Sequence, residues 1–122
     1  GIRDLDDGEK KIVKEKKIKF IKSADINNDP KRVFEIVKAF VGKDPVHLSF
    51  DVDGIDPSEM PCTGTTAKKG VRVDAIKSVL DKIMKKTNIV NMDITELNLE
   101  LGDDNQREVS MTNFVKLFEK YI

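Results

Sequence analysis

The chain lacks the cysteines that form disulfides and the long apolar runs that cross membranes. Its one cysteine, Cys62, permits no internal disulfide, which fits a reducing compartment, and we expect the cytoplasm. A cysteine nucleophile needs a base, and the only histidine, His47, lies well up a predicted strand, so we expect no catalytic role for Cys62. No run approaches the ~18 apolar residues of a membrane span, and no signal-peptide pattern is present.

An excess of charge of either sign is also missing. The 22 basic residues balance 22 acidic ones, so we expect neither nucleic acid nor an anionic membrane as a partner. The lysines near the start of the chain are typical of a solvated helix face. A length of 122 residues suits a single domain.

Apolar periodicity predicts strands that alternate with helices. The predicted helices are Gly8–Lys17, Pro30 to Gly42, one from Val73 onwards and Glu108–Ile122. The predicted strands are Ile18–Lys22, one from Val46 to the acids Asp51 and Asp53, and Asn88–Leu97, with Gly1–Asp6 as the tail of another. A long loop runs from Gly54 to about Gly70. This order predicts an α/β fold with a parallel sheet.

The stretch from Val46 to Thr66 carries the strongest functional signal. Asp51 and Asp53 stand two residues apart at the end of a strand, so we expect both on one side of it. Glu96 ends the next long strand in the same way. Ligands of open α/β sheets bind at this carboxyl edge, and carboxylate pairs suit a hard divalent cation.

Two short-motif interpretations of DVDGID match only in part, one in spacing and the other in the residues that follow. A helix-loop-helix calcium loop starting at Asp51 would need an acid at Ile55 and a glutamate at Cys62. FDVDG also resembles the first motif of haloacid dehalogenase phosphatases, which continue with Thr and an apolar residue where this chain has Ile55 and Asp56.

A third resemblance covers nearly the whole chain. SFDVDGIDPSEMPCTGT resembles the signature SFDVDxxDPxxxPxTGTP of the arginase (ureohydrolase) family. GIRDLDDGE is similar to the family's GLRDxDxGE, and MDITELNLELG is similar to its DIxEvNP segment. The resemblance implies a three-layer α/β/α arginase-like fold, with residues 1–122 forming the C-terminal portion of a single domain.

The resemblance also implies roles for particular residues. Asp51 would bridge two Mn²⁺ ions and Asp53 would bind one of them. Glu96 would pair with the substrate guanidinium, so Asp51 and Glu96 are the expected catalytic residues. Asp6 and Glu9 would receive the α-amino group, and Thr65 would line the guanidinium end. The implied reaction converts L-arginine and water to L-ornithine and urea, in a homo-oligomer that is a trimer or hexamer.

Much of the family's site is missing from this chain. The GGDH and DAHxD segments, which supply both metal-binding histidines, are absent, as is the catalytic histidine. His47 matches a strand histidine of the family, and we expect it to be packed and structural. The family's TGTP, GGL and NP become TGT-Thr66, Lys69-Gly70-Val71 and Asn98-Leu99.

Two hypotheses therefore stay open. The chain supplies part of a manganese arginase site and is inactive by itself, or it belongs to a non-catalytic arginase-like subunit or binding partner. The sequence also leaves open arginine, agmatine or a guanidino acid as the substrate.

Overall fold

The computed structural model describes all of residues 1–122, with five helices and one two-stranded sheet. The helices are α1 (Asp7–Glu15), α2 (Ser23–Asn28), α3 (Pro30–Val41), α4 (Val73–Lys86) and α5 (Asp104–Phe118). The strands are β1 (Pro45–Asp51) and β2 (Asn88–Thr95), and 3₁₀ turns span Val52–Gly54 and Leu99–Leu101. Because α4 lies between two parallel strands in the chain, β1, α4 and β2 form a βαβ unit.

A β-bulge sets which side chains of the sheet share a face. Val46 pairs with Ile89 but His47 pairs with Asn91, so Val90 is the extra residue of β2. Beyond the bulge, polar residues of both strands share one face: His47, Ser49, Asp51, Asn91, Asp93 and Thr95. A slip of one residue would turn the apolar residues of β2 away from the core, so the burial of one face fixes the register.

Helix α4 is central because two apolar clusters meet on it. Val73 and Leu80 join a cluster with Leu117 and Phe118 of α5, against the apolar face of the sheet. The opposite side of α4 packs on α2 and α3 through a second set: Ile26, Val33, Val71, Ala75 and Val79. Each such buried aliphatic or aromatic side chain contributes roughly 1.5–3 kcal/mol to folding, so α4 ties the sheet to the helices before it.

The long loop after β1 has no regular structure, yet it is part of the core. Ile55, Met60 and Cys62 are at most 2% exposed. Its two ends are held together, because Val71 N donates to Gly54 O at 2.9 Å. A Cβ on Gly70 would lie 2.3 Å from the Asp56 backbone nitrogen, so only glycine permits this approach.

Two element predictions need correction. Ile18–Lys22 is not a strand, because its one β-bridge, between Ile2 and Lys22, is isolated and the short helix α2 follows directly. The last helix begins at Asp104 rather than Glu108 and ends at Phe118. Its start was missed because the capping box of Asp103 and Gln106 precedes the apolar periodicity.

The predicted helices α3 and α4 and the two long strands are confirmed in kind. The Asp29 side chain caps α3, accepting from Arg32 N at 3.0 Å, and Pro30 takes the first helical position. None of the helices combines the length and the apolar character that crossing a membrane requires.

Candidate functional site

The turn after β1 holds the two acids in different backbone settings. The strand ends at Asp51, whose Oδ1 accepts from Asp53 N at 2.8 Å and so begins a 3₁₀ turn. The prediction that Asp53 continues the strand is therefore wrong. Val52 is fully buried between the two acids and anchors the turn to the core. The turn brings the charge of Asp51 close enough to influence the ionisation of Asp53.

Asp53 is the member of the pair whose ionised form is disfavoured by its surroundings. Its Oδ1 atom is buried and has no hydrogen-bond partner. Burial, followed by the negative charges of Asp51 and Glu96, raises the pKa of the Asp53 carboxyl above its ordinary value. The Thr65 backbone N–H and the Arg3 guanidinium act in the opposite direction and do not reverse the shift. A buried carboxylate oxygen without a donor, beside two more carboxylates, is an environment that favours a cation.

Glu96 comes immediately after β2 with φ of 69°, in the left-handed region that side chains other than glycine rarely adopt. The chain around it is held on both sides. Thr95 pairs with Asp51 across the sheet, and Leu97 forms an antiparallel bridge with Thr63. The neighbouring structure therefore imposes this conformation on Glu96, and such strain clusters at functional sites.

A cleft of about 400 Å³ lies beside the acids. It is lined by the first five residues of the chain together with Asp51, Asp53, Gly54, Thr65 and Ala67. The structure thus brings together the predicted residues Asp51, Asp53 and Thr65, with Glu96 acting on Asp53 from the end of β2.

Sequence reasoning missed Arg3, which crosses this cleft. Its guanidinium donates to Asp53 O at 2.6 Å and to Ala67 O at 2.9 and 3.2 Å. The signal was present in the GIRDLDDGE segment, but only Asp6 and Glu9 of that segment received roles.

Asp6 and Glu9 form the capping box of α1. Asp6 Oδ1 accepts from Glu9 N at 2.8 Å, and Glu9 Oε2 accepts from Asp6 N at 2.9 Å. Both are exposed and neither lines the cleft beside Asp51 and Asp53. One oxygen of each carboxylate has no hydrogen bond and so can accept another donor.

His47 is exposed rather than packed, which corrects the expectation for it. Its Nε2 lies 2.5 Å from Asp93 Oδ2, and its Nδ1 lies 3.1 Å from Asn91 Nδ2. Ser49 Oγ donates to Asp93 Oδ1 at 2.6 Å, and this bond and then His47 hold the pKa of Asp93 below its ordinary value. Ser49 bonds to the aspartate rather than to the histidine, so the group lacks the nucleophile–base contact of a hydrolytic triad.

Carboxylates are suitable ligands for a metal ion, but few of them lie together at this site. Oxygen donors match manganese, and the orphaned Asp53 Oδ1 supplies an unused ligand atom. No group of three or more His, Cys, Asp or Glu residues is arranged to hold an ion. These residues therefore provide part of a metal site. Cys62 is fully buried elsewhere, where its N–H donates to Ser110 Oγ at 3.0 Å.

Comparison with known proteins connects this geometry to one family. The model of the Arginase family matches residues 1–118. An arginase of Emericella nidulans is 38% identical over 103 residues, which are 83% of this chain and 32% of that protein. Human Arginase-1 is 37% identical over 106 residues, which are 84% of this chain and 33% of that protein. The chain spans about a third of the length of these curated relatives.

Solved structures give the same result. An Entamoeba histolytica arginase in complex with L-ornithine aligns with a TM-score of 0.82 and 31% identity, over 97% of this chain and 41% of that one. Helicobacter pylori arginase aligns with a TM-score of 0.87 at 20% identity, over 98% of this chain and 40% of that one, which is a likeness of fold alone. The βαβ unit and its helices are therefore part of an α/β arginase fold.

Proposed function

Because this chain belongs to the arginase family of hydrolases, we propose that it supplies part of a manganese-dependent site that converts L-arginine and water to L-ornithine and urea. The observation that carries the proposal is the buried Oδ1 of Asp53, which lacks a donor and belongs to a carboxyl whose pKa is raised by burial and by the charges of Asp51 and Glu96. We further propose that residues 1–122 are the C-terminal portion of a single arginase-like domain whose other part completes the site.

Asp51 and Asp53 would hold the metal. The arginase family is generally metal-dependent, and the repulsion between these carboxylates falls when a cation lies between them. Bound manganese supplies a water molecule that ionises near neutral pH, which a poorly electrophilic guanidinium carbon requires. The turn that starts at Asp51 holds the two acids adjacent.

Glu96 would bind the guanidinium group of the substrate. A carboxylate matches the planar N–H fork of a guanidinium through two parallel hydrogen bonds. Glu96 is exposed and close enough to act on Asp53, so a guanidinium bound there would lie beside the metal-binding acids. Thr65, from the cleft wall, would line the same end.

Asp6 and Glu9 would receive the α-amino group of the substrate. Each uses one carboxylate oxygen in the α1 cap and keeps the other available for an ammonium group. The α-ammonium of L-arginine would use this negative charge, and so would the primary ammonium of agmatine, which differs by lacking the carboxylate.

A non-catalytic arginase-like protein is the second candidate. It is favoured by the observation that no three potential ligands are arranged to hold an ion. In that case the chain would act as a subunit or binding partner and the carboxylates would be remnants. For either candidate we propose a homo-oligomer and, from the lone buried Cys62, a cytoplasmic location.

Metal analysis tests the two candidates directly. Manganese content after dialysis and urea release from arginine would be measured on the longest natural chain that contains these residues. The first candidate predicts about two manganese ions per chain, as in two-metal sites, with urea produced. Asp51→Asn should abolish both signals, whereas the control Asp44→Asn, at an exposed carboxylate outside the cleft, should change neither. Absence of metal and urea in the unmodified protein would overturn the first candidate in favour of the second.

A further inference from the structure

Arg3 connects three segments of the chain that meet at the candidate site. Its Nη2 donates to the carbonyl oxygens of Asp53 and Ala67, its Nε donates again to Ala67, and its Nη1 reaches Gly1 O at 3.5 Å. The sequence separations from Asp53 and Ala67 are 50 and 64 residues. One partly buried side chain thus ties the start of the chain to the turn after β1 and to the loop beyond it.

The loop that Arg3 holds has few other attachments. On one side Thr63 bridges to Leu97, and on the other Ser23 Oγ donates to Lys69 O at 2.8 Å. Between these anchors, over residues 64–68, Arg3 donates two hydrogen bonds to Ala67 O, and the Thr65 N–H faces the Asp53 carboxylate. This short segment includes Thr65, which lines the cleft.

We propose that Arg3 is a positioning residue, which sets the distance between the Thr65 segment and the Asp51–Asp53 turn. This proposal rests on the proposed function, because the distance matters only if the two segments form one site. The N–H donors of Arg3 are occupied by main-chain carbonyls, so Arg3 acts on metal and substrate through the segments it holds. Nε and Nη2 of Arg3 both donate to Ala67 O, and Nη2 also donates to Asp53 O. Holding the two segments therefore requires the planar shape of the guanidinium as well as its charge.

Hydrogen exchange on the metal-free, longest natural chain tests whether Arg3 holds the loop, and it requires no enzymatic activity. Arg3→Gln should speed exchange of the Thr65 amide by about ten-fold, because its N–H faces the Asp53 carboxylate and Arg3 holds the two segments together. Arg3→Lys should fall between Arg3→Gln and the unmodified protein, since an ammonium is a point donor. Arg72→Gln is the matched control, because Arg72 Nη2 also joins distant segments, to Asn27 O at 2.9 Å, away from the cleft.

Binding and kinetics then test the link to the site. Arg3→Gln should weaken Mn²⁺ binding or lower kcat/KM by about 10- to 100-fold, as loss of groups that orient ligands typically does. The thermal stability of Arg3→Gln should equal that of Arg72→Gln. Arg72→Gln should keep the Mn²⁺ affinity and the kcat/KM of the unmodified protein.

Unchanged exchange of the Thr65 amide in Arg3→Gln would overturn this role of Arg3. Equal losses of Mn²⁺ affinity in Arg3→Gln and Arg72→Gln would also overturn it, because a general loss of stability would then explain both. An unmodified protein that binds no Mn²⁺ and releases no urea would overturn the proposed function instead, and the exchange result would still decide whether Arg3 holds the loop.

Discussion

Glu96 combines a left-handed backbone with a carboxylate close to two others. Its φ of 69° disfavours any residue with a Cβ, and its charge raises the pKa of Asp53. Both features oppose folding of this chain alone, and both are explained if the position serves a bound cation or guanidinium. Strain of this kind is retained where function requires it.

Replacing Glu96 should therefore separate stability from function. Glu96→Gly relieves the backbone strain as well as the charge, whereas Glu96→Gln relieves the charge alone. We expect the glycine variant of the metal-free protein to be more stable than the glutamine variant by about 1 kcal/mol. In the longest natural chain with manganese, the proposed function predicts that neither variant releases urea. Denaturant midpoints provide the measurement, and equal midpoints would show that the backbone is unstrained.

Tyr121 offers a second residue-scale test. Its hydroxyl donates to Asp81 Oδ1, and burial, then this bond, raise the Tyr121 pKa to about 12. Because the neutral phenol is the form favoured by folding, its contribution to stability is complete below the unfolded pKa of about 10. That contribution is lost as the pH rises through about 12.

The phenolate absorbance of this chain reports Tyr121 alone, because the sequence has one tyrosine and no tryptophan. We expect a titration midpoint of about 12 for the folded chain and about 10 for the chain in denaturant. Asp81→Asn should lower the folded midpoint but leave it above the denatured value, because burial is the larger cause. Circular dichroism of the same samples would confirm that the chain is folded, and a folded midpoint near the denatured one would contradict the assignment.

At the scale of elements, the ends of helices carry information that apolar periodicity does not. Helices α1 and α5 both begin with a capping box, in which a side chain and a backbone amide bond reciprocally. In α1 the box uses Asp6 and Glu9, which are also expected to bind substrate. In α5 the box uses Asp103 and Gln106 and sets the true start of the helix.

The α5 cap can be tested by substitution. Asp103→Ala should lower the free energy of unfolding by about 1 kcal/mol, because Gln106 N loses its acceptor. Asp103→Asn keeps an acceptor and should be nearly neutral. Asp104→Ala serves as the control, since Asp104 is exposed and contacts only Arg107 at 3.2 Å. Equal denaturant midpoints for the two alanine variants would contradict the cap.

At the scale of the whole molecule, the sheet edges are unpaired and an apolar groove is exposed. The two-stranded sheet has both edges unpaired and a polar face in solvent. An apolar groove of about 510 Å³ runs along α3 and α4, where Phe20, Ile36 and Phe40 are 44%, 47% and 70% exposed. Surface of this kind promotes association.

The 122-residue chain should therefore self-associate when expressed alone. Phe40→Asp places a charge in the groove and should reduce association, whereas Ala39→Asp adds the same charge at the exposed neighbouring position and should reduce it less. Sedimentation velocity measures the difference. A monomer that unfolds cooperatively by calorimetry would contradict the expectation.

Much of this structure follows from local sequence. Periods of 2 and 3.6 residues predicted β1, β2, α3 and α4, because each element buries one apolar face whatever its partners are. The pair Asp51 and Asp53 was also found from sequence, since two acids at a strand end have few structural explanations.

Long-range contacts decided the remainder. The bulge at Val90, the left-handed Glu96 and the exposure of His47 all depend on how β2 lies against β1 and the loop. The bonds of Arg3 to Asp53 and Ala67 join residues far apart in the chain. By itself the sequence determined the elements and the carboxylates, because local hydrophobic patterning and residue chemistry specify them. Only the tertiary structure decided how those carboxylates meet and what holds them, because register and loop contacts arise when distant segments pack together.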